Sequence, residues 1–318
     1  MKVSILIPVY GVERYIEACI RSLMEQTYDD IEYIFVNDCT PDDSINVLNK
    51  VLQDYPNRSN QVRIIHHTEN QGLGGARVTA LSNATGEALL IVDSDDYIHQ
   101  HAVELLVNKM KQTDADIVDG GFSYVSNGVI TEQHMPPHIS TPSYLKTVLC
   151  QDIEPNRIWG RLIKRSLFIA HHITFYKGID YCEDFSVLPR LLLYARRDWV
   201  DQSLYFYRDD NPSSYTNNIT LKNAVSFLKA HQVVASCLDQ HPSWKDYQKA
   251  AEMGWVNVWR FCRRFNVDAT VAEEHFKKTP SLLTTRLLTS IMKSKSIPYK
   301  VGNFCYLAAR RIYLTALR

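Results

Sequence analysis

The sequence predicts an α/β protein: a doubly wound, mostly parallel sheet followed by a helical C-terminal region. Three observations predict it. Short apolar runs alternate with helical periodicities between residues 3 and 111. One of those runs, Ala88-Leu-Leu-Ile-Val92, leads straight into Asp93, Asp95 and Asp96. Beyond residue 215 the periodicity is helical, clearest over residues 281–293 and 298–317.

Residues 3–8 are continuously apolar, as a strand buried on both faces must be. Val12, Tyr15, Ile16, Cys19, Ile20, Leu23 and Met24 follow at helical spacing. Residues 31–36 read as a second strand with a helix over 42–54. A third strand spans 62–65, with a helix over 73–84 closed by Gly86. The fourth spans 88–92, with a helix over 102–111. Ligands of such sheets bind beyond the carboxyl ends of the strands. Polar residues gather there: Tyr10 and Glu13 after the first strand, Asp38 after the second, Asn70 to Arg77 after the third, Asp93 to Asp96 after the fourth. Residues 116–119 and 122–125 read as short strands, and Asn127-Gly128 is a hairpin turn signal. Asp180, Glu183 and Asp184 precede an apolar helix over 187–194.

Each group at these ends has a chemistry and a plainer competing role. Adjacent carboxylates repel unless a cation or donor compensates them. Their hard oxygens suit Mg²⁺ or Mn²⁺, which would keep coordination positions for phosphates; the competing role is a helix N-cap, for which one Asp suffices. Tyr10 offers a ring face to a nucleobase or is an amphipathic rim residue. Asp38 accepts hydrogen bonds from a base or ribose, or caps the next helix. Gly72, Gly74 and Gly75 permit close backbone approach at a helix start, where amides and the helix dipole favour anions. Arg77 can reach phosphate or brace the carboxylates, or is a surface arginine. Trp159 can stack on a sugar or pack in the core.

Five segments together resemble the family 2 glycosyltransferases. They are Ser4-Ile-Leu-Ile-Pro-Val-Tyr10, Gln26-Thr-Tyr28, Asn37-Asp-Cys-Thr-Pro-Asp-Asp43, Asn70–Arg77 and Asp93-Ser-Asp-Asp96. The resemblance is strong over residues 1–125 and weaker to about residue 215. It implies an inverting enzyme of the GT-A fold that uses a nucleotide-sugar donor. By that resemblance Asp38 recognises the base, Asp93 the ribose–phosphate region, and Asp95 the metal, Mn²⁺ or Mg²⁺. The implied donor-binding set is Pro8, Tyr10, Glu13, Asp38, Asn70, Gly72, Arg77, Asp93, Ser94 and Arg208. Glu183-Asp184 resembles the family's Glu-Asp pair, which puts Asp184 at the catalytic base and Glu183, with Trp159, on the acceptor side. Tyr207-Arg208 with Ser213 and Ser214 resembles a diphosphate-reaching Tyr-Arg…Ser region. Departures are Gly11 for Asn, Asn37-Asp-Cys-Thr for Asp-Asp-Gly-Ser, Val78 for Asn, and two changes in Trp159-Gly-Arg-Leu.

The expected organisation is a nucleotide-sugar-binding half (1–125), an acceptor-binding half (126–215) and a C-terminal helical domain (216–318). The expected reaction moves a hexosyl or N-acetylhexosaminyl group, from a UDP-sugar, onto a glycan or lipid-linked glycan of a polysaccharide pathway, by metal-assisted single displacement. Alternatives are a sugar-nucleotide nucleotidyltransferase, which needs a glycine-rich basic loop where Pro8–Glu13 has none, and a non-catalytic nucleotide-sugar-binding subunit. Composition is that of an ordinary globular protein, 45% apolar and 22% charged. Seven cysteines without a C-x-x-C pair read as reduced thiols of a cytoplasmic protein. No apolar run approaches the roughly 20 residues that span a bilayer. The zero net charge is uneven: residues 275–318 hold nine of the 35 basic residues and no acid, leaving 26 basic against 35 acidic elsewhere, a net of −9. The basic amphipathic tail suggests peripheral contact with an anionic membrane; packing on the acidic body is the alternative, and nucleic acid has no recognised module to bind.

Overall fold

The computed structural model describes residues 1–150, 156–211, 220–294 and 296–316. In chain order its elements are β1 (Val3–Val9), α1 (Ile16–Met24), β2 (Ile31–Asn37), α2 (Ser44–Leu52), β3 (Val62–His66), α3 (Gly72–Asn83), β4 (Ala88–Ile91), β5 (Tyr97–Ile98), α4 (Ala102–Thr113), β6 (Ile117–Ser126), β7 (Val129–His134) and α5 (Thr141–Leu149). There follow β8 (Arg161–Lys164), α6 (Arg165–Ala170), α7 (Glu183–Leu192), β9 (Arg197–Arg208), α8 (Leu221–Asp239), α9 (Trp244–Arg264), α10 (Ala269–His275), α11 (Leu283–Lys293) and α12 (Tyr299–Thr315). The chain divides into two compact units. The first comprises Met1–His138, Ile158–Asp180 and Tyr194–Asn217; the second comprises Ile139–Arg157, Tyr181–Leu193 and Asn218–Arg318.

In the first unit, nine strands among the described residues form one sheet, ordered β3-β2-β1-β4-β8-β6-β9-β5 with β7 on β6. The expected parallel arrangement holds across β3-β2-β1-β4. Beyond β4 the sheet is mixed: β8 runs antiparallel to both neighbours, while β6 and β9 are parallel. Every residue of β1 is buried, because helices cover both faces. Val3, Ile5, Ile7 and Val9 point to one face and pack with α1, α2 and α4 in the main core. On the other face lies α3. The two short strands expected over 116–125 are one strand, β6; its register against β9 shifts at Gly120 and Gly121, where two glycines interrupt the apolar pattern. Asn127-Gly128 does form the β6–β7 hairpin, with φ of 50° and 77°.

The second unit is helical. α9 is its centre, packed by α5, α8, α11 and α12. The helix expected over 187–194 begins at Glu183, so its acids lie within the first turn, where the helix dipole favours them.

Candidate active site

The carboxyl ends of β1, β2 and β4 meet through side chains. Ser94 is buried and donates to the Pro8 carbonyl at 2.6 Å. The Thr40 hydroxyl accepts from the Gly11 amide at 2.9 Å. Asp42 accepts from the Glu13 amide, and the Glu13 carboxylate from the Asp43 amide. Tyr10 stands free at this rim, 50% exposed. These contacts weld the loop after β1 to the loop after β2. Cys39 within the latter has φ of 57°, the left-handed region that glycine adopts without strain. That is the position where the family motif has Gly.

Asp38 is 2% exposed, and both its oxygens are occupied. One accepts from the Gln71 amide at 2.8 Å and faces His67 Nδ1 at 2.7 Å; the other accepts from the Gly72 amide at 2.8 Å. It therefore caps α3, not the helix that follows it in sequence. Asn70 Oδ1 also accepts from the Gly72 amide, and Asp180 from the Gly74 amide. The anions at this helix start are the protein's own. The glycines serve the same packing: a Cβ at Gly72 would meet the Asp180 carboxylate at 2.3 Å, and one at Gly74 the Tyr176 carbonyl at 2.2 Å. At Gly72 and Gly74 the close backbone approach is made by the segment from Tyr176 to Asp180.

Of the roles open to Arg77, bracing is the observed one. Its guanidinium is fully buried and donates to Asp93 Oδ1 at 2.8 Å. Asp96 is buried and accepts from the Tyr205 hydroxyl at 2.7 Å and the Arg208 amide at 2.8 Å. The same hydroxyl accepts from the Asp93 amide. Asp95 accepts from Asn211 Nδ2 at 2.8 Å. Burial, then repulsion by Asp93, pushes the Asp95 carboxyl above the usual carboxylate range. Asp96 is pushed up further, by burial and by both neighbours. A half-buried carboxylate beside two others is undercompensated, and a divalent cation would fit it. Among the described residues no three His, Cys, Asp or Glu converge on a metal. Asp95, half-buried and held by Asn211, is the residue here that could hold such an ion together with a phosphate ligand. The Arg208 guanidinium lies 5.4 Å from the Tyr97 ring and 5.7 Å from that of Tyr15, and its buried Nε has no hydrogen-bond partner.

Trp159 is 8% exposed and stacks on Tyr205 at 4.3 Å and on Tyr207 at 5.4 Å. Of its two expected roles it takes the packing one. Glu183 and Asp184 belong to the second unit, Glu183 buried and Asp184 half-buried. Ser213 and Ser214 lie outside the described residues. Sequence reasoning missed Tyr205, Asn211 and His67, which position Asp96, Asp95 and Asp38; their only signal was a polar atom near a strand end.

Residues 4–177 match the sequence profile of Glycosyl transferase family 2. The chain belongs to this family. It is 35% identical over 223 residues, 67% of its length, to the "Uncharacterized glycosyltransferase EpsJ" of Bacillus subtilis. It is 31% identical over 258 residues, 78% of its length, to the "Putative glycosyltransferase EpsH" of the same organism. These matches span 62% of the first relative and 72% of the second. Among solved structures, Staphylococcus aureus TarS 1–349 in complex with UDP-GlcNAc superposes with a TM-score of 0.69 at 18% identity, covering 98% of this chain and 92% of that one. This family member thus has the GT-A fold and a C-terminal helical region. All seven cysteines are free thiols, and no helix among the described residues is long and apolar enough to cross a membrane.

Proposed function

We propose that this chain is an inverting glycosyltransferase that moves a hexosyl or N-acetylhexosaminyl group from a UDP-sugar to a hydroxyl of a glycan or lipid-linked glycan. The observation that carries the reading is the Asp93–Asp96 turn. It gathers carboxylates whose charge is undercompensated, at the ends of parallel strands, beside an arginine held by two tyrosine rings and without an ion pair among the described residues. A diphosphate with its divalent cation supplies the missing charge of both signs. The UDP-GlcNAc complex of TarS supports a uridine donor.

Residues 1–125 are assigned to the donor and 126–215 to the acceptor. Tyr10 offers its exposed ring to the base. Asp38 acts through the loop it holds, keeping Asn70 and Gly72 in place, while Pro8, Glu13 and Ser94 fix the opposite wall. Arg208 faces the diphosphate. Asp95 would hold Mn²⁺ or Mg²⁺, which would lend Lewis-acid charge to the leaving group. In the displacement the acceptor oxygen bonds to the anomeric carbon as the bond to the diphosphate oxygen breaks. The hydroxyl proton passes to Asp184, with Glu183 beside the acceptor. No covalent intermediate forms, so the anomeric configuration inverts.

A panel of nucleotide-sugars with Mn²⁺ tests this by thermal unfolding. One UDP-sugar should stabilise the protein, by about 2.7 kcal/mol at 100 times its dissociation constant, and EDTA should remove the effect. Asp95→Asn should lose the metal dependence. Absence of stabilisation by every UDP-sugar overturns the donor assignment, and a product that retains the donor's anomeric configuration overturns the mechanism.

A further inference from the structure

The C-terminal helices of the second unit bury one face and leave the other bare. α11 packs through Thr285, Leu288, Thr289 and Met292, and α12 through Gly302, Tyr306 and Tyr313, against each other and α9. Arg260 over Tyr306 and Arg310 donating to the Cys150 carbonyl tie α12 down on that side. The outward faces carry Leu283 (70% exposed) and Leu287 on α11. On α12 they carry Val301, Phe304 (73%), Leu307 and Ile312 (73%). Single exposed apolar residues are ordinary; six large ones on two neighbouring helices form a patch that asks for a partner.

Charge selects the partner. Positions 300, 304, 307 and 311 advance by three or four, so Lys300 and Arg311 share one stripe with Phe304 and Leu307. Arg286 stands beside Leu287 on the outward side of α11. Among the described residues these three cations make no ion pair, whereas Lys278 and Lys293 pair with Asp239 and Glu273. From residue 275 to the end there is no Asp or Glu to answer them. A second copy docking symmetrically would set these cations against themselves. Nucleic acid would take the cations and leave the apolar side chains unused.

We propose that this surface of α11 and α12 docks on an anionic lipid bilayer. Phe304, Ile312, Leu307, Val301, Leu283 and Leu287 enter the boundary between headgroups and acyl chains, and Lys300, Arg311 and Arg286 meet the anionic headgroups. The second unit carries this interaction by itself, independently of the donor chemistry.

Co-sedimentation of the full chain with vesicles tests it. Vesicles of phosphatidylcholine mixed with phosphatidylglycerol should bind the protein at low salt and release it at high salt, and phosphatidylcholine alone should bind little. Lys300→Gln with Arg311→Gln should weaken binding about 30-fold, two cations at about 1 kcal/mol each. Phe304→Ser with Ile312→Ser should weaken it at least tenfold. All four side chains are outward, so the circular dichroism and melting temperature of both variants should match the wild type. Failure to bind the anionic vesicles at low salt overturns the proposal, as does equal binding to phosphatidylcholine alone. Concentration-dependent self-association that Phe304→Ser with Ile312→Ser abolishes, in a protein that ignores vesicles, also overturns it and assigns the face to a second copy.

Discussion

Glu32, at the start of β2, accepts from the Ser4 hydroxyl, from the Thr85 and Gly86 amides, and from Lys2. Burial alone would raise its pKa; these donors outweigh burial and pull it to about 2. At the other end of the same strands, burial and mutual repulsion push Asp95 and Asp96 up, against only partial compensation. Glu32 is satisfied by its donors, while Asp95 and Asp96 are only partly compensated. That contrast separates structural acids from acids available for chemistry better than their sequence spacing does. Asp184 poses the same question in the first turn of α7. Asp184→Asn preserves volume and much of the helix-start contribution but cannot take a proton. Transfer should fall roughly 10²-fold or more, with UDP affinity nearly unchanged, as single-turnover kinetics and calorimetry would measure. A wild-type rate would move the base elsewhere. The carboxylate turn at the end of β4 was legible from Asp93, Asp95 and Asp96 alone. The engagement of Asp38 was not, because its partners Gln71 and Gly72 lie more than thirty residues away.

One carboxylate of α9 holds the start of α11. Glu252, 1% exposed in the middle of α9, accepts from the Ser281 and Leu282 amides and the Ser281 and Thr285 hydroxyls. It thus satisfies the amides at the start of α11, which has no side-chain cap of its own. Its hydrogen bonds overcome burial and hold its pKa below the ordinary value, so it is ionised at neutral pH. Glu252→Ala should cost about 3 kcal/mol or more by leaving several donors unmet, seen as a lower urea midpoint and faster amide exchange across α11. Glu252→Gln should cost less, since it keeps an acceptor. Helical spacing announced both helices. No local pattern announces that an acid on one caps the other, because a cap supplied by a distant residue leaves no signature near the helix it caps.

At the scale of the molecule, acid stability is the measurable consequence of burial. His231 lies among Phe185, Phe227 and Phe276, and burial lowers its pKa from 6.5 to about 3. The unfolded chain recovers the ordinary value and takes up a proton that the folded chain refuses. Stability is therefore full above pH 6.5 and declines as pH falls below it, by up to about 1.4 kcal/mol per unit. Urea unfolding at pH 7 and pH 5 should show about 2 kcal/mol more loss for the wild type than for His231→Leu, which has no proton to take up. Equal losses would show that His231 is protonated in the fold. The carboxylates with lowered pKa, Glu32 and Glu252, act in the same direction only nearer pH 4.

What the amino-acid sequence determined by itself was local and periodic. The alternation of apolar strands and amphipathic helices, the Asn127-Gly128 turn, the acid-rich end of β4 and the charge imbalance of the tail are each written within a few residues. Period and turn chemistry act over that range. Tertiary structure decided what depends on partners brought from afar. The glycines of α3 let Asp180 and Tyr176 approach closely, and Trp159 packs on Tyr205 and Tyr207. The tail helix turns Gly302, Tyr306 and Tyr313 inward and leaves Phe304 and Ile312 bare. Apolar residues ring much of that helix, so the pattern could not say which of them would be covered. The packing of α9 and α11 against it could.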